Sequence, residues 1–279
     1  MALAINTNMT SINAQRHLLK STSELGKTFE RLSSGLRINR AADDSAGMSI
    51  STRMTAQLRG TNQAVRNAND AISLVQVADG ALEETTNALQ RMRELAVQAA
   101  NDTVVSSDRT DIQDEIDQLM SEIDRIATET EFNNQKLLSG GYETAKKFHV
   151  GPDGAQTIAM SIMRATTTSL ISYTAAGAGV VGVSTQARAN LTIGRIDSAL
   201  DSVSDIRSKL GAFQNRFEAV IANLSNMVEN TSAARSRIMD ADIATETANL
   251  TKNAILQQAG TAILAQANQQ PQIALQLLG

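Results

Sequence analysis

The chain has no cysteine and no tryptophan, only two prolines, and 3% aromatic residues among 279. Without cysteine there are no disulfides and no thiolate chemistry, although a chain in any compartment can lack it. The two histidines, His17 and His149, stand far apart with no cysteine beside them. The usual zinc ligand sets are therefore missing, and no H-E-x-x-H occurs. Few aromatics leave few large anchors for a thick core. Few prolines, Pro152 and Pro271, leave few helix breakers. The net charge is −4 with both signs mixed, so there is no basic stripe to neutralise phosphates and no nucleic-acid partner is expected. No apolar run approaches the roughly 18 residues of a membrane span, so membrane insertion is not expected. The first ten residues show neither the basic n-region nor the apolar h-region of a cleaved secretory signal.

What the sequence does have is helical spacing on a long scale. From Ile193 to Met227 apolar residues recur three or four apart: Ile193, Ile196, Leu200, Val203, Ile206, Leu210, Phe213, Phe217, Val220, Leu224 and Met227. A helix of that length is a rod of roughly 50 Å. Such a rod needs partner helices along its whole length, from this chain or from neighbouring ones. That is the pattern of an assembly subunit before it is that of an enzyme.

Four further helices are predicted. The first covers about 5–36 with a thin stripe (Ile5, Met9, Ile12, Leu19, Leu25, Phe29, Leu32, Leu36), weakened by Gly26 and Gly35. Residues 39–47 read as a break, and Asp43-Asp44-Ser45 could cap the next helix. The second runs from about Met54 to Ala100 and the third from about Ser107 to Thr130. Ile112, Ile116, Leu119, Ile123 and Ile126 of the third repeat with coiled-coil spacing. Lys147–Val150 and Gln156–Met163 read as two short strands around the turn Gly151-Pro152-Asp153-Gly154, and 165–183 as a loop or irregular β region. The long seam then begins near Ser184, with a break over 231–242. A last helix from Ile243 to Asn268 is stopped by Pro271.

The predicted class is mainly α: a long antiparallel coiled-coil or helix bundle with a small β-hairpin region and discontinuous domains made from both chain ends. The expected division is 1–42 with 238–279, 43–140 with 184–237, and 141–183. The inner helices fold back at the β excursion. The outer pair is rich in alanine and buries little area per residue, so it should be mobile in a monomer and ordered by neighbours.

No catalytic constellation is visible. Asp43-Asp44 reads as a helix cap or a contact between copies rather than an acid–base pair. The acidic face Asp111, Asp114, Glu115 and Asp117 reads as the wet side of a coiled coil. Gly177 and Gly179 lack the strand–turn–helix setting of a nucleotide loop. Residues 166–169 read as an exposed polar loop, with O-linked sugars as the sharper alternative.

The residues themselves resemble bacterial flagellin. The N-terminal resemblance lies in Ala4-Ile5-Asn6-Thr7-Asn8, Arg31-Leu32-Ser33-Ser34-Gly35-Leu36-Arg37-Ile38-Asn39 and Ala41-Ala42-Asp43-Asp44-Ser45-Ala46-Gly47. Towards the C-terminus it lies in Ser236-Arg237-Ile238-Met239-Asp240-Ala241-Asp242, Ile255-Leu256-Gln257-Gln258-Ala259-Gly260 and Leu264-Ala265-Gln266-Ala267-Asn268-Gln269. Leu89-Gln90-Arg91-Met92-Arg93-Glu94-Leu95-Ala96-Val97-Gln98 is similar to the family's inner-domain motif.

The resemblance implies a non-enzymatic, cofactor-free subunit that polymerises into the extracellular flagellar filament for motility. It implies export by the flagellar type III channel without a cleaved signal. The partners it implies are other copies, an export chaperone, and cap and hook-associated proteins. Self-assembly contacts are then expected on the terminal helices, at Ile5, Met9, Ile12, Leu19, Leu25, Phe29, Leu32 and Leu36, and at Leu250, Leu256, Ile263, Leu264, Leu275 and Leu278. Asp43, Asp44, Asp240 and Asp242 mark the inter-domain break. In the family an innate immune receptor reads the inner-domain motif, which by position implies contacts at Arg91, Leu95 and Glu115. The short middle departs from larger members and implies no large outer domain. Two other readings stand beside this one: a hook–filament junction protein sharing the terminal helices, and a soluble adhesin or immune ligand.

Overall fold

A computed structural model of the chain describes residues 7–172 and 181–276. The elements run α1 (Met9–Ser34), α2 (Ser45–Ala99), α3 (Ser106–Glu129), β1 (Glu131–Phe132), β2 (Gln135–Lys136), β3 (Lys146–His149), β4 (Thr157–Met160), α4 (Thr167–Ser172), α5 (Gln186–Met239) and α6 (Ile243–Gln276). The chain divides into two compact units, 58–228 and 1–57 with 229–279. α2 and α5, of 55 and 54 residues, contribute to both.

In the unit 58–228, α2 and α5 run antiparallel. Thr61 meets Met227, Arg207 bonds Asp79 at 2.8 Å, and Arg93 bonds Asp197 at 2.6 Å, so one number falls as the other rises. The residues facing inward are the predicted seam. Ile196, Val203, Ile206, Leu210 and Phe217 are buried against Leu74, Leu82, Leu89 and Met92 of α2, with Ile112, Ile116 and Ile123 of α3. Many facing positions are alanine (Ala68, Ala71, Ala78, Ala96, Ala99), which lets the helix backbones approach closely. Buried threonines do not break the pattern. Thr85, for one, donates its hydroxyl to the Ala81 carbonyl one turn back. Among the described residues, no buried side-chain polar atom lacks a partner.

The β excursion closes over the same core. β1 and β2 pair antiparallel around Asn133 and Asn134, whose φ of 48° and 62° suit the tight hairpin turn that asparagine tolerates. β3 and β4 pair in the register His149 opposite Thr157. Ile158 and Met160 turn inward while Thr157 and Ala159 face out, as their alternation predicts. Gly60 of α2 admits the turn: a Cβ there would lie 3.1 Å from Pro152 Cα.

Several expectations are corrected. α2 begins at Ser45 rather than near Met54. Asp44 accepts the Gly47 N–H at 2.8 Å and starts the helix nine residues earlier. α5 stays helical through Thr231 to Met239, so the second break is only residues 240–242. Pro271 does not end α6, which continues to Gln276. The ring removes one N–H donor, but the following Gln-Ile-Ala-Leu-Gln is rich in good helix formers. Residues 166–169 are not simply loop. Thr167 starts α4, its N–H and hydroxyl both donating to the Asp124 carboxylate at 2.8 and 2.7 Å. Gly177 and Gly179 lie outside the described residues.

Candidate functional site

The terminal unit is built around the antiparallel pair α1 and α6. α1 starts at Asn8, whose Oδ1 accepts the Ser11 N–H at 3.1 Å. It ends at Gly35, which takes φ 69° and returns its N–H to the Arg31 carbonyl at 2.9 Å. α6 starts at Asp242, whose carboxylate accepts the Ala244 N–H at 3.0 Å and the Thr245 hydroxyl at 2.9 Å. Those bonds, the Thr245 hydroxyl foremost, hold the Asp242 carboxyl below its ordinary range.

Of the eleven expected assembly residues whose side chains are described, all but Leu36 lie on this pair, and six are exposed. Met9 is 66% exposed, Leu19 73%, Phe29 65% and Ile263 57%. Ile12 and Leu256 are exposed too, while Leu25, Leu32, Leu36, Leu250 and Leu264 are half-buried. Ile5 and Leu278 lie outside the described residues, as does the side chain of Leu275. Ile243 and Ile255, not among the expected contacts, are also exposed. The residues buried in the pair are instead Ser11, Thr28, Glu246 and Ala267. Within one chain these exposed side chains leave apolar area of the pair uncovered.

All four break residues lie between helices or at their edges. Asp43 accepts the Arg40 and Asn39 N–H groups at 3.0 and 3.2 Å. The Arg40 N–H above all holds the Asp43 carboxyl below its ordinary range. Asp44 caps α2 through its bond to Gly47. Asp240 accepts the Ser236 hydroxyl at 2.6 Å and pairs through its backbone with Leu36. Around that bridge the Arg37 N–H donates to the Met239 carbonyl at 2.6 Å and the Ala241 N–H to the Gly35 carbonyl at 2.9 Å. The Arg37 guanidinium adds bonds to the Ile238 carbonyl at 2.7 and 3.2 Å. The two chain crossings are therefore stitched together by backbone and arginine where both leave helical geometry. Sequence reading found the acids but not the arginine. No local signal marked it, because Arg37 follows α1 while the carbonyl it bonds belongs to the end of α5, 201 positions away.

In the other unit, Arg91 donates to Glu115 at 2.9 and 3.0 Å and to Glu94 at 3.2 Å. The Glu115 bond is the main cause holding the Arg91 guanidinium above its ordinary range. Arg91 and Glu115 are thus neighbours on an exposed surface. Leu95 is not on it: it is 3% exposed, because its position on α2 falls on the inward stripe beside Met92 and Ala96.

Residues 5–143 match the family described as "Bacterial flagellin N-terminal helical region", and residues 193–278 match "Bacterial flagellin C-terminal helical region". The chain is 47% identical over 276 residues to the flagellin of Halalkalibacterium halodurans, covering 99% of this chain and 100% of that one. It is 41% identical over 285 residues to flagellin FlaB1 of Treponema pallidum, again covering 99% and 100%. The crystal structure of Bacillus cereus flagellin is similar at 31% identity and a TM-score of 0.49, covering 61% of this chain and 94% of that one. Matches to both terminal regions, and relatives aligned over their whole length, place the chain in the family of bacterial flagellins, structural subunits of the flagellar filament.

Proposed function

We propose that this flagellin forms filaments by stacking its terminal pair against the pairs of neighbouring copies, making the inner wall of a helical polymer. One observation carries this reading: α1 and α6 hold several large apolar side chains, Leu19, Phe29, Ile255 and Ile263 among them, out in solvent. On this reading residues 1–42 with 238–279 are the inner tube. Residues 43–140 with 184–237 are the surrounding bundle, and 141–183 the outermost surface, with no large outer domain. The site is extracellular, reached by type III export without a cleaved signal. An export chaperone and the cap and hook-associated proteins are the further partners. The chain does no catalysis; its work is to bind copies of itself. The Arg91–Glu115 pair is exposed enough to serve an innate receptor, whereas Leu95 contributes to that surface only by supporting it from beneath.

Seeded elongation followed by electron microscopy tests this. Purified chain added to short seeds should give long filaments, and removing the last 35 residues should abolish growth. A chain that never elongates would point to a junction role. Activity as an immune ligand or adhesin that survives the truncation would point to a soluble module.

A further inference from the structure

The seam between α1 and α6 raises a problem of register. Helices whose facing residues are small or polar fit one another almost equally well after slipping one turn, because no large knob selects a hole. Among the described residues, the seam buries no leucine, isoleucine, methionine or phenylalanine; its buried members are Ser11, Thr28, Glu246 and Ala267. The leucines of the pair, Leu18, Leu25, Leu32, Leu250 and Leu264, are only half-buried, and Leu18 over Gly260 is a fit that the test below removes, so the apolar pattern holds the register loosely.

Polar groups at the two ends supply what the seam lacks. At one end, Arg31 Nη1 lies 3.2 Å from Glu246 Oε1, and the Glu246 side chain is only 9% exposed on a helix that is mostly in water. At the other, Asn8 Nδ2 donates to the Ala267 carbonyl at 2.7 Å and the Ser11 hydroxyl to Asn268 Oδ1 at 2.8 Å. Asn8 to Arg31 is 23 residues and Glu246 to Ala267 is 21, so the two fastenings have matched spacing along the two helices. One slip undoes both. It would also leave the Glu246 carboxylate buried without its cation, which is the costly way to break such a pair.

We propose that Arg31 with Glu246, and Asn8 and Ser11 with residues 267–268, are the residues that set the register of the terminal pair. The register they set then fixes which exposed apolar side chains of α1 and α6 lie level with one another, and so which surface each copy offers the next. The second step rests on the filament role proposed above; the register itself does not. These are positioning residues, and their roles are specific in geometry rather than in bulk stability.

The absence of cysteine makes the test clean. A Cβ built at Gly260 lies 3.9 Å from Leu18 Cβ, close to the roughly 3.8 Å that a disulfide spans. A slip of one turn shifts the partners by about 5.4 Å and puts them out of reach. In the full chain carrying Leu18→Cys and Gly260→Cys, the initial rate of intrachain disulfide formation under a fixed glutathione buffer reports the register. Adding Glu246→Arg, which sets two cations together, should lower that rate about tenfold or more. Adding Arg31→Glu as well should restore it to within about twofold. Asn8→Ala should lower it further when combined with Glu246→Arg. Equal rates with and without Glu246→Arg would overturn the proposal. So would a loss that the reversed pair does not restore, since that marks a merely unfolded helix. Seeded elongation of the same variants, with the cysteines reduced, reads the second step separately. A native chain that fails to elongate counts against the filament role, while the disulfide rates still decide the register.

Discussion

Phe148 meets Phe217 edge to face, with ring centroids 5.9 Å apart and planes at 78°. In a chain with only five phenylalanines, this contact joins the β3–β4 hairpin to the middle of α5. Phe217 is fully buried and is the largest such side chain in the molecule's described core. Replacing it with alanine leaves a cavity that rigid neighbouring helices cannot fill, so Phe217→Ala should destabilise the 58–228 unit by about 3–5 kcal/mol. Urea unfolding followed by far-ultraviolet circular dichroism measures this. A loss under about 1 kcal/mol would mean that the hairpin is not seated on α5 in this way.

Gly47 gives a sharper local test. It sits in the first turn of α2, and a Cβ there would lie 2.5 Å from Asp44 Oδ2 and 2.7 Å from Ile38 Cδ1. The substitution would usually favour a helix by intrinsic propensity. Here it must displace either the capping carboxylate or the fully buried Ile38. Gly47→Ala should therefore cost about 1–2 kcal/mol, comparable to losing the cap. It should raise hydrogen exchange in residues 45–50 while leaving the amides of α3 unchanged. Slower exchange at the helix start would contradict the packing.

The long helices were legible because their signal is redundant. The α3 stripe from Ile112 to Ile126 and the α5 seam each repeat one period many times, so a single exception does not hide the pattern. The short elements were not. β1, β2 and α4 have two, two and six residues, and tertiary contacts decide them: the Asp124 carboxylate starts α4 from another helix. Helix ends were misread where one side chain outweighed local composition. Asp44 extends α2 backwards, and α6 absorbs Pro271. The candidate site was half legible. Leu19 stood on the thin apolar stripe of the first helix and Ile263 came only with the resemblance, while their exposure, 73% and 57%, is what the structure adds. The polar fastenings were not legible, because Arg31 and Glu246 lie 215 positions apart, and no single sequence marks them as partners. Leu95 shows the opposite error: a motif position implied surface, while its place on the helical stripe put it inside.

The pH dependence of the α6 start derives from Asp242. Its carboxyl is held below the ordinary value of 3.8 by the Thr245 hydroxyl and by the Thr245 and Ala244 N–H groups. A depressed folded-state pKa means the cap stabilises fully above the unfolded value and is lost as pH falls through the folded one. The group is exposed, so the effect is local. Exchange at Ala244 and Thr245 should be pH-insensitive above about 5, after correction for intrinsic rates, and should accelerate as pH falls below about 4. Asp242→Asn keeps an acceptor without the titration, so its corrected protection should stay flat over the same range. An acid-induced loss that persists in Asp242→Asn would assign the effect to another group.

Leu19 and Ile263 separate folding from assembly. Both lie on the terminal pair with most of their surface in water, at 73% and 57% exposure. Removing an apolar side chain that the lone chain does not bury costs that chain little, within about 0.5 kcal/mol. Burying it against another copy should contribute roughly 1.5–3 kcal/mol. Leu19→Ser and Ile263→Ser should therefore leave thermal unfolding of the unassembled chain unchanged. Each should raise the critical concentration for seeded elongation by about tenfold or more. Leu82→Ser, at a fully buried position of α2, is the control: it should unfold the chain before any assembly defect can be read. If Leu19→Ser lowers the unfolding temperature as Leu82→Ser does, the side chain is already covered within one copy. If neither exposed substitution affects elongation, the apolar surface of α1 and α6 faces a channel or solvent rather than a neighbouring subunit, and the contacts between copies must be carried elsewhere.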